Sequence, residues 1–188
     1  MLLHDMITFI LGGARSGKSR YAETLAAKHL GRKTYIATAE ALDDEMRARI
    51  AQHRAQRGNG WDTIEAPLDL VGALERSADL VLIDCITLWI SNLMHHKCDV
   101  EREVEKLCAA LKSKSKVVIV SNEVGLGIVP DNQLARAFRD EQGHANRRLA
   151  EIADDVIFVV AGLPLVLKKS QPKPARAKTA RSSPADKA

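Results

Sequence analysis

The clearest chemistry in this chain belongs to the run Leu11-Gly12-Gly13-Ala14-Arg15-Ser16-Gly17-Lys18-Ser19. From Gly12 to Ser19 its spacing is G-x-x-x-x-G-K-S, the pattern of a loop that wraps phosphates. The glycines let the backbone turn so that consecutive N–H groups along Gly13, Ala14, Arg15 and Ser16 point at one anion. Lys18 can reach β- and γ-phosphate oxygens, and the Ser19 hydroxyl suits a Mg²⁺ coordination position. Such a loop needs a buried strand before it and a helix after it. Met6-Ile7-Thr8-Phe9-Ile10-Leu11 supplies the strand. Arg20 to Leu30, rich in Ala, Leu, Lys and Glu with no Gly or Pro, supplies the helix. Together they predict a phosphate-binding P-loop, and hence a bound nucleotide.

Two further groups point the same way. Asp79-Leu80-Val81-Leu82-Ile83-Asp84 is an apolar strand ending in an acid, the Walker-B pattern. There the carboxylate of Asp84 holds Mg²⁺ directly or through water. Between the two motifs, a helix predicted from Asp43 to Arg57 places Met46, Ile50, His53 and Arg57 at i, i+4, i+7 and i+11, one stripe of a 3.6-residue helix. Met46 and Ile50 mark its inward side, so His53 and Arg57 face protein or ligand, with Arg49 and Arg54 flanking them. From the residues alone His53 is either a packing histidine or a phosphate-facing one; the surrounding arginines favour phosphate.

The elements that must position these groups alternate between strand and helix. Arg32 to Thr38 is a second strand that leaves Thr38, Ala39 and Glu40 at its carboxyl end, where ligands sit in open α/β sheets. Trp61 to Glu65 is a short strand, followed by a helix from Pro67 to Ala78. Cys85 to Met94 is an apolar helix whose Trp89 belongs to the core or to a subunit contact, and Asp99 to Lys112 is an amphipathic one. Lys116 to Val120 reads as another buried parallel strand. Its polar tip, Ser121-Asn122-Glu123, runs into the glycine-punctuated loop Val124 to Pro130. Asp131 caps a long helix to Ala153 that Gly143 interrupts, and Asp155 to Val160 is the last clear strand, with Leu163 to Leu167 a possible edge strand.

Composition sets limits. A chain of 188 residues with 46% hydrophobic content suits one domain with a sizeable core. The net charge is +4, yet Lys168 to Ala188 carries seven Lys/Arg and one Asp, so the body is at about −2. The chain therefore divides into a folded unit over 1–170 and a basic tail over 171–188, whose Pro/Ala/Lys/Ser composition has nothing to bury. Cys85, Cys98 and Cys108 lack metal-ligand spacing and read as reduced thiols of a cytoplasmic protein. No run approaches the ~18 apolar residues of a membrane span. An acidic body with 4% aromatics argues against a nucleic-acid groove, and so against a RecA-like motor acting on nucleic acid. A plain small-molecule P-loop kinase, with His53 incidental, remains a second reading of the residues.

Several blocks in order resemble one family, the bifunctional adenosylcobinamide kinase / adenosylcobinamide-phosphate guanylyltransferase of cobalamin assembly. They are the P-loop itself, Tyr35-Ile36-Ala37-Thr38, Asp43-Asp44-Glu45-Met46, Arg49-Ile50-x-x-His53, Asn122-Glu123-Val124-Gly125-x-Gly127-Ile128-Val129-Pro130, Leu134-Ala135-Arg136-x-Phe138-Arg139-Asp140 and Asn146-x-Arg148-Leu149-Ala150. The resemblance implies a three-layer, RecA-like P-loop NTPase fold with a mostly parallel central sheet, and a homotrimer with sites near subunit contacts. It implies phosphorylation of adenosylcobinamide by ATP or GTP. It then implies transfer of GMP from GTP to the resulting phosphate through a guanylylated histidine. In this sequence that histidine is His53. Lys18 serves catalysis, Arg54, Arg57 and Glu65 match positions on the guanine nucleotide, and Ala37, Thr38 and Ala39 line the nucleotide. Ser19 and Asp84 would bridge Mg²⁺.

Overall fold

Six of the strands pair in parallel, and the central ones, which carry runs such as Leu80-Val81-Leu82-Ile83 and Val117-Val118-Ile119-Val120, are buried because both faces of the sheet are covered there. The computed structural model describes residues 6–41, 43–57, 60–114 and 116–170; the side chains of Glu45, Arg49, His53, Gln56 and Arg57, and the tail over 171–188, lie outside the described set. In chain order the elements are β1 (Met6–Gly12), α1 (Lys18–Ala26), β2 (Lys33–Ala37), α2 (Asp44–Arg57), β3 (Asp62–Glu65), α3 (Leu70–Glu75) and β4 (Leu80–Asp84). They continue with α4 (Ile86–His95), α5 (Val100–Leu111), β5 (Lys116–Asn122), α6 (Gln133–Ile152), β6 (Asp155–Val160) and β7 (Leu163–Lys168). The sheet order is β3-β2-β4-β5-β1-β6-β7, with β7 antiparallel to β6 and the other described pairs parallel. The P-loop strand β1 thus lies beside β5, and β5 separates it from the Asp84 strand β4.

Strand alternation sorts the core into two layers. Ile7, Phe9, Leu11, Val81, Ile83, Val117 and Ile119 turn to one face, where α3, α4, α5 and α6 cover them. Ile10, Leu80, Leu82, Val118 and Val120 turn to the other, where Ala22 and Ala26 of α1 pack closely. Trp89 is buried in the larger layer with its indole N–H on the Leu68 carbonyl at 2.8 Å, so it is a core residue.

Local details depart from the sequence expectation in three places. The helix expected from Pro67 starts only at Leu70, because the Asp69 carboxylate accepts the Gly72 N–H at 2.8 Å and caps it there. Asn132, not Asp131, caps α6, accepting from the Ala135 N–H at 2.7 Å. Gly143 does not interrupt that helix, which runs unbroken from Gln133 to Ile152. Its neighbours are locked by buried hydrogen bonds: Gln142 donates to Ser121 Oγ at 2.9 Å, and Ser121 Oγ donates to Asn146 at 2.7 Å. Tertiary contacts of this kind outweigh the roughly 1 kcal/mol a helical glycine costs.

Candidate active site

The carboxyl ends of the parallel strands bring the P-loop after β1, Glu65 of β3, Asp84 of β4 and Asn122 of β5 to one edge of the sheet. Gly12 ends β1 and the chain turns over Gly13 to Gly17 into α1. The Ser16 N–H closes the turn on the Gly13 carbonyl at 3.3 Å, and Gly17 sits at φ +92°, a left-handed conformation suited to glycine. Arg15 is also left-handed, at φ +56°. The loop is fastened from both sides: the Glu123 N–H donates to the Gly12 carbonyl at 3.1 Å, and the Gly162 N–H donates to the Ser16 carbonyl at 2.9 Å. Lys18 is the first residue of α1 and is buried, with its ammonium on the Gly13 carbonyl at 3.2 Å. The charge is therefore held at the loop rather than in solvent. Ala14 and Arg15 are exposed, and Ser16 and Ser19 are half-buried.

Register places the second motif. Across β3, β2, β4 and β5, Glu65 lies opposite Ala37, Ala37 opposite Asp84, and Asp84 opposite Val120. Asp84 Oδ2 accepts the Tyr35 hydroxyl at 2.9 Å, which aims the carboxylate and stabilises its charge. Sequence reasoning gave Tyr35 no role of its own; a tyrosine within a strand carries no signal that its hydroxyl meets an acid on the next one. The Cys85 thiol is pushed up to about 11 by burial first and by the Asp84 charge second, with Lys18 opposing. One buried sulfur thus feels the charges of both Asp84 and Lys18.

The residues suit Mg²⁺ that arrives with a nucleotide. Asp84 Oδ1 makes no hydrogen bond among the described residues, and Ser19 lies on the first turn of α1 without a side-chain hydrogen bond there. A carboxylate and a hydroxyl are the hard oxygen donors the ion takes alongside phosphate and water. Among the described residues no three His, Cys, Asp or Glu side chains gather as a metal cage.

Thr38 is fully buried and its hydroxyl is occupied on both sides, donating to the Cys85 carbonyl at 2.8 Å and accepting the Cys85 N–H at 2.9 Å. Asn92 of α4 reaches the Thr38 carbonyl at 2.8 Å and the Pro67 carbonyl at 3.1 Å. These contacts brace the tips of β2 and β4; Ala37 and Ala39 beside them are half-buried. Neither Asn92 nor Gly162 could be picked out from sequence, since the side-chain amide of one and the backbone N–H of the other both meet carbonyls distant along the chain. In α2, Met46 and Ile50 are half-buried while Arg47, Ala48, Ala51, Gln52, Arg54 and Ala55 are exposed, which agrees with the expected inward stripe. Arg54 pairs with Glu65 at 2.6 Å, tying α2 to the tip of β3. The backbones of His53 and Arg57 lie in this helix; their side chains are outside the described residues.

Comparison with known proteins bears on the family and the fold. The chain is 46% identical over 170 residues to the bifunctional adenosylcobalamin biosynthesis protein CobP of Pseudomonas aeruginosa, covering 87% of this chain and 98% of that protein. It is 42% identical over 182 residues to CobU of Salmonella typhimurium, covering 87% and 100%. Among solved structures, the flagellar accessory protein FlaH of Methanocaldococcus jannaschii aligns with TM-score 0.52 at 14% identity, over 90% of this chain and 80% of that one. An ATPase of a type III secretion system aligns with TM-score 0.51 at 12% identity, over 88% and 58%. At these identities the structures speak for the fold alone, and that fold is the P-loop, RecA-like α/β sandwich. The description of cobinamide kinase / cobinamide phosphate guanyltransferase matches residues 8–167, from the P-loop strand to the edge strand. Sequence, sheet order and site geometry thus converge, and this chain belongs to the cobinamide kinase / cobinamide phosphate guanyltransferase family.

Proposed function

We propose that this chain phosphorylates adenosylcobinamide and then guanylylates the product. In the first reaction the aminopropanol hydroxyl attacks the γ-phosphorus of ATP or GTP. The bond to the β–γ bridging oxygen breaks, nucleoside diphosphate leaves, and the hydroxyl proton passes to solvent or a carboxylate. In the second, a ring nitrogen of His53 attacks the α-phosphorus of GTP and pyrophosphate leaves. An oxygen of cobinamide phosphate then attacks the same phosphorus, the P–N bond breaks, and adenosyl-GDP-cobinamide forms. A neutral imidazole is nucleophilic near pH 7 and suits such a phosphoramidate.

The observation that carries this reading is the row Glu65–Ala37–Asp84 running toward the P-loop along one sheet edge. From β3 to β1 there are four strand spacings, about 19 Å at ~4.8 Å each, on the order of an extended nucleoside triphosphate. Glu65, with Arg54 and Arg57 on α2, would take the guanosine end. The loop from Gly12 to Ser19 would take the pyrophosphate end, leaving the α-phosphorus under the helix that carries His53. Lys18 and the loop N–H groups would offset charge on the transferring phosphates. Ser19 and Asp84 would hold Mg²⁺, which neutralises the leaving pyrophosphate when bound. We further propose a homotrimer, supported by the exposed apolar edge strand β7 with Leu163, Leu165, Val166 and Leu167. A cytoplasmic setting is proposed as well; the free thiols Cys85, Cys98 and Cys108 support it.

Labelling of His53→Ala tests the scheme. Wild-type protein should take up α-labelled but not γ-labelled GTP, and the label should be lost in acid and survive alkali. His53→Ala should lose the label and the guanylyl transfer while retaining phosphorylation of adenosylcobinamide. A folded variant that still takes up acid-labile label would remove His53 from the mechanism, and a wild type that never labels would leave a plain kinase.

A further inference from the structure

Phosphorylating the acceptor releases a hydroxyl proton, and a carboxylate held beside the γ-phosphate is suited to take it. Four carboxylates stand within three residues of the carboxyl end of a parallel strand: Glu40 after β2, Glu65 on β3, Asp84 on β4 and Glu123 after β5. Three of them are engaged. Glu65 pairs with Arg54 at 2.6 Å, Glu40 with His96 at 3.3 Å, and Asp84 accepts the Tyr35 hydroxyl beside the proposed metal position. Glu123 pairs with no cation among the described residues. Its Oε1 accepts the Gly125 N–H at 2.5 Å, and its Oε2 makes no hydrogen bond among those residues.

Sheet order puts β5 between the P-loop strand β1 and the Asp84 strand β4, so its tip stands between the two motifs that would hold the triphosphate and its metal. Asn122 lies opposite Gly12 in the register, and the next residue, Glu123, donates its N–H to the Gly12 carbonyl at 3.1 Å. The Lys18 ammonium sits on the following carbonyl, that of Gly13, at 3.2 Å. Glu123 is therefore fastened one carbonyl away from the lysine that serves the γ-phosphate. The peptide joining Asn122 to Glu123 is held at both ends, its N–H by Gly12 and its oxygen by the Asn146 amide at 3.0 Å, while the Asn122 N–H donates to Thr87 Oγ1 at 2.7 Å. Such a clamp fixes where the carboxylate starts, as positioning of a reacting group requires. The same tip holds a polar atom that the fold leaves unsatisfied: Asn122 Oδ1 is buried without a partner among the described residues. An unmade buried acceptor costs stability, so it points to a tip completed by a bound molecule.

We infer that Glu123 is the general base of the phosphoryl transfer. The inference rests on the proposed reaction and names the group that receives its proton. Glu123 Oε2 takes the proton from the acceptor hydroxyl as that oxygen bonds to the γ-phosphorus. The bond from the γ-phosphorus to the β–γ bridging oxygen breaks, and nucleoside diphosphate leaves with its electron pair. The protonated carboxyl returns its proton to solvent once the products have gone. Guanylylation has no such need. There the nucleophiles are an imidazole lone pair and then a phosphate oxygen, and neither has a hydroxyl proton to lose.

The test is Glu123→Gln in the full chain, which keeps the side-chain length and an oxygen for the Gly125 N–H but accepts no proton at neutral pH. Its kcat for adenosylcobinamide phosphorylation should fall about a hundredfold or more. KM for nucleotide and acceptor should stay within threefold, the Mg²⁺ titration should not move, and uptake of α-labelled GTP should remain within threefold of wild type. Glu123→Asp keeps a base one methylene short and should run at least tenfold faster than the Gln variant. A Gln variant whose kcat lies within tenfold of wild type overturns the assignment, as does an Asp variant no faster than it. Parallel loss of phosphorylation and label uptake also overturns it and marks a structural role. A tenfold rise in the Mg²⁺ requirement does the same, making Glu123 a metal ligand instead. Wild-type protein that takes up label but never phosphorylates adenosylcobinamide would refute the proposed kinase reaction itself, and the base with it.

Discussion

Alanine substitutions at the three glycines of the P-loop should separate sharply, and the structure ranks them. A Cβ on Gly12 would lie 2.5 Å from Ser16 Oγ and 2.6 Å from the Val159 carbonyl oxygen. Ser16 can rotate its hydroxyl away. Val159 cannot yield, because its oxygen belongs to the buried strand β6, paired with β1 at this register position. Ordinary contact begins at 3.4 Å, so the start of the loop must retreat by about 0.8 Å. Overpacking of this kind costs about 1–3 kcal/mol, or roughly 2–12 °C in Tm for a domain of this size. A misplacement near 1 Å costs about 10²-fold in rate. Gly17→Ala meets only the Gly162 Cα at 3.4 Å but must hold φ +92°, which costs a residue with a Cβ about 1–2 kcal/mol. Gly13→Ala meets nothing within 4 Å and carries no left-handed φ. It should be neutral or stabilise by up to about 1 kcal/mol. Steady-state rates of both reactions, nucleotide affinity and melting curves on the three variants check the order. A Gly12→Ala enzyme within threefold of wild type, or a Gly13→Ala enzyme worse than it, would refute the reasoning.

Lys18→Ala should abolish both phosphorylation and label uptake, since one loop is proposed to hold the triphosphate for each; loss of one alone would require a second nucleotide site. Asp84→Asn can keep an oxygen for the Tyr35 hydroxyl, so the fold should persist while the Mg²⁺ concentration for half-maximal rate rises about tenfold; an unchanged Mg²⁺ titration takes Asp84 out of the metal site. Burial and Asp84 raise the Cys85 thiol from its usual 9.0 to about 11, so the folded state holds that proton more tightly than the unfolded chain. The resulting stability, about 3 kcal/mol, is fully present below pH 9 and is lost as pH rises to 11; melting curves across that window should flatten in Cys85→Ala. In native protein at pH 8 a thiol reagent should modify Cys98 quickly and leave the buried Cys85 and Cys108; rapid loss of more than one thiol per chain contradicts this.

The P-loop was legible in the chain because its constraints are local. Gly12 and Gly17 answer backbone requirements, Lys18 follows at a fixed spacing, and an unbroken apolar run must precede them. Asp84 was legible for the same reason, as an acid ending a strand that water never reaches. So were the alternating strands and helices, and hence an α/β sheet with its polar tips on one edge.

What tertiary structure decided is which tips stand together and what holds them. No spacing says that β5 lies between β1 and β4, that Glu65 and Asp84 flank Ala37, or that Tyr35 lends its hydroxyl to the acid one strand away. Gly162 and Glu123 fasten the P-loop through backbone N–H groups that every residue type but proline possesses, so the contacts leave almost no mark in the sequence. Gly143 looked like a break because propensity is a local quantity, and the helix continues because Gln142 and Asn146 are bonded to Ser121 across the core. Local covalent geometry writes itself into residue type and spacing. Pairing across the sheet and packing against it depend on the whole chain's burial, and only the folded molecule settles them.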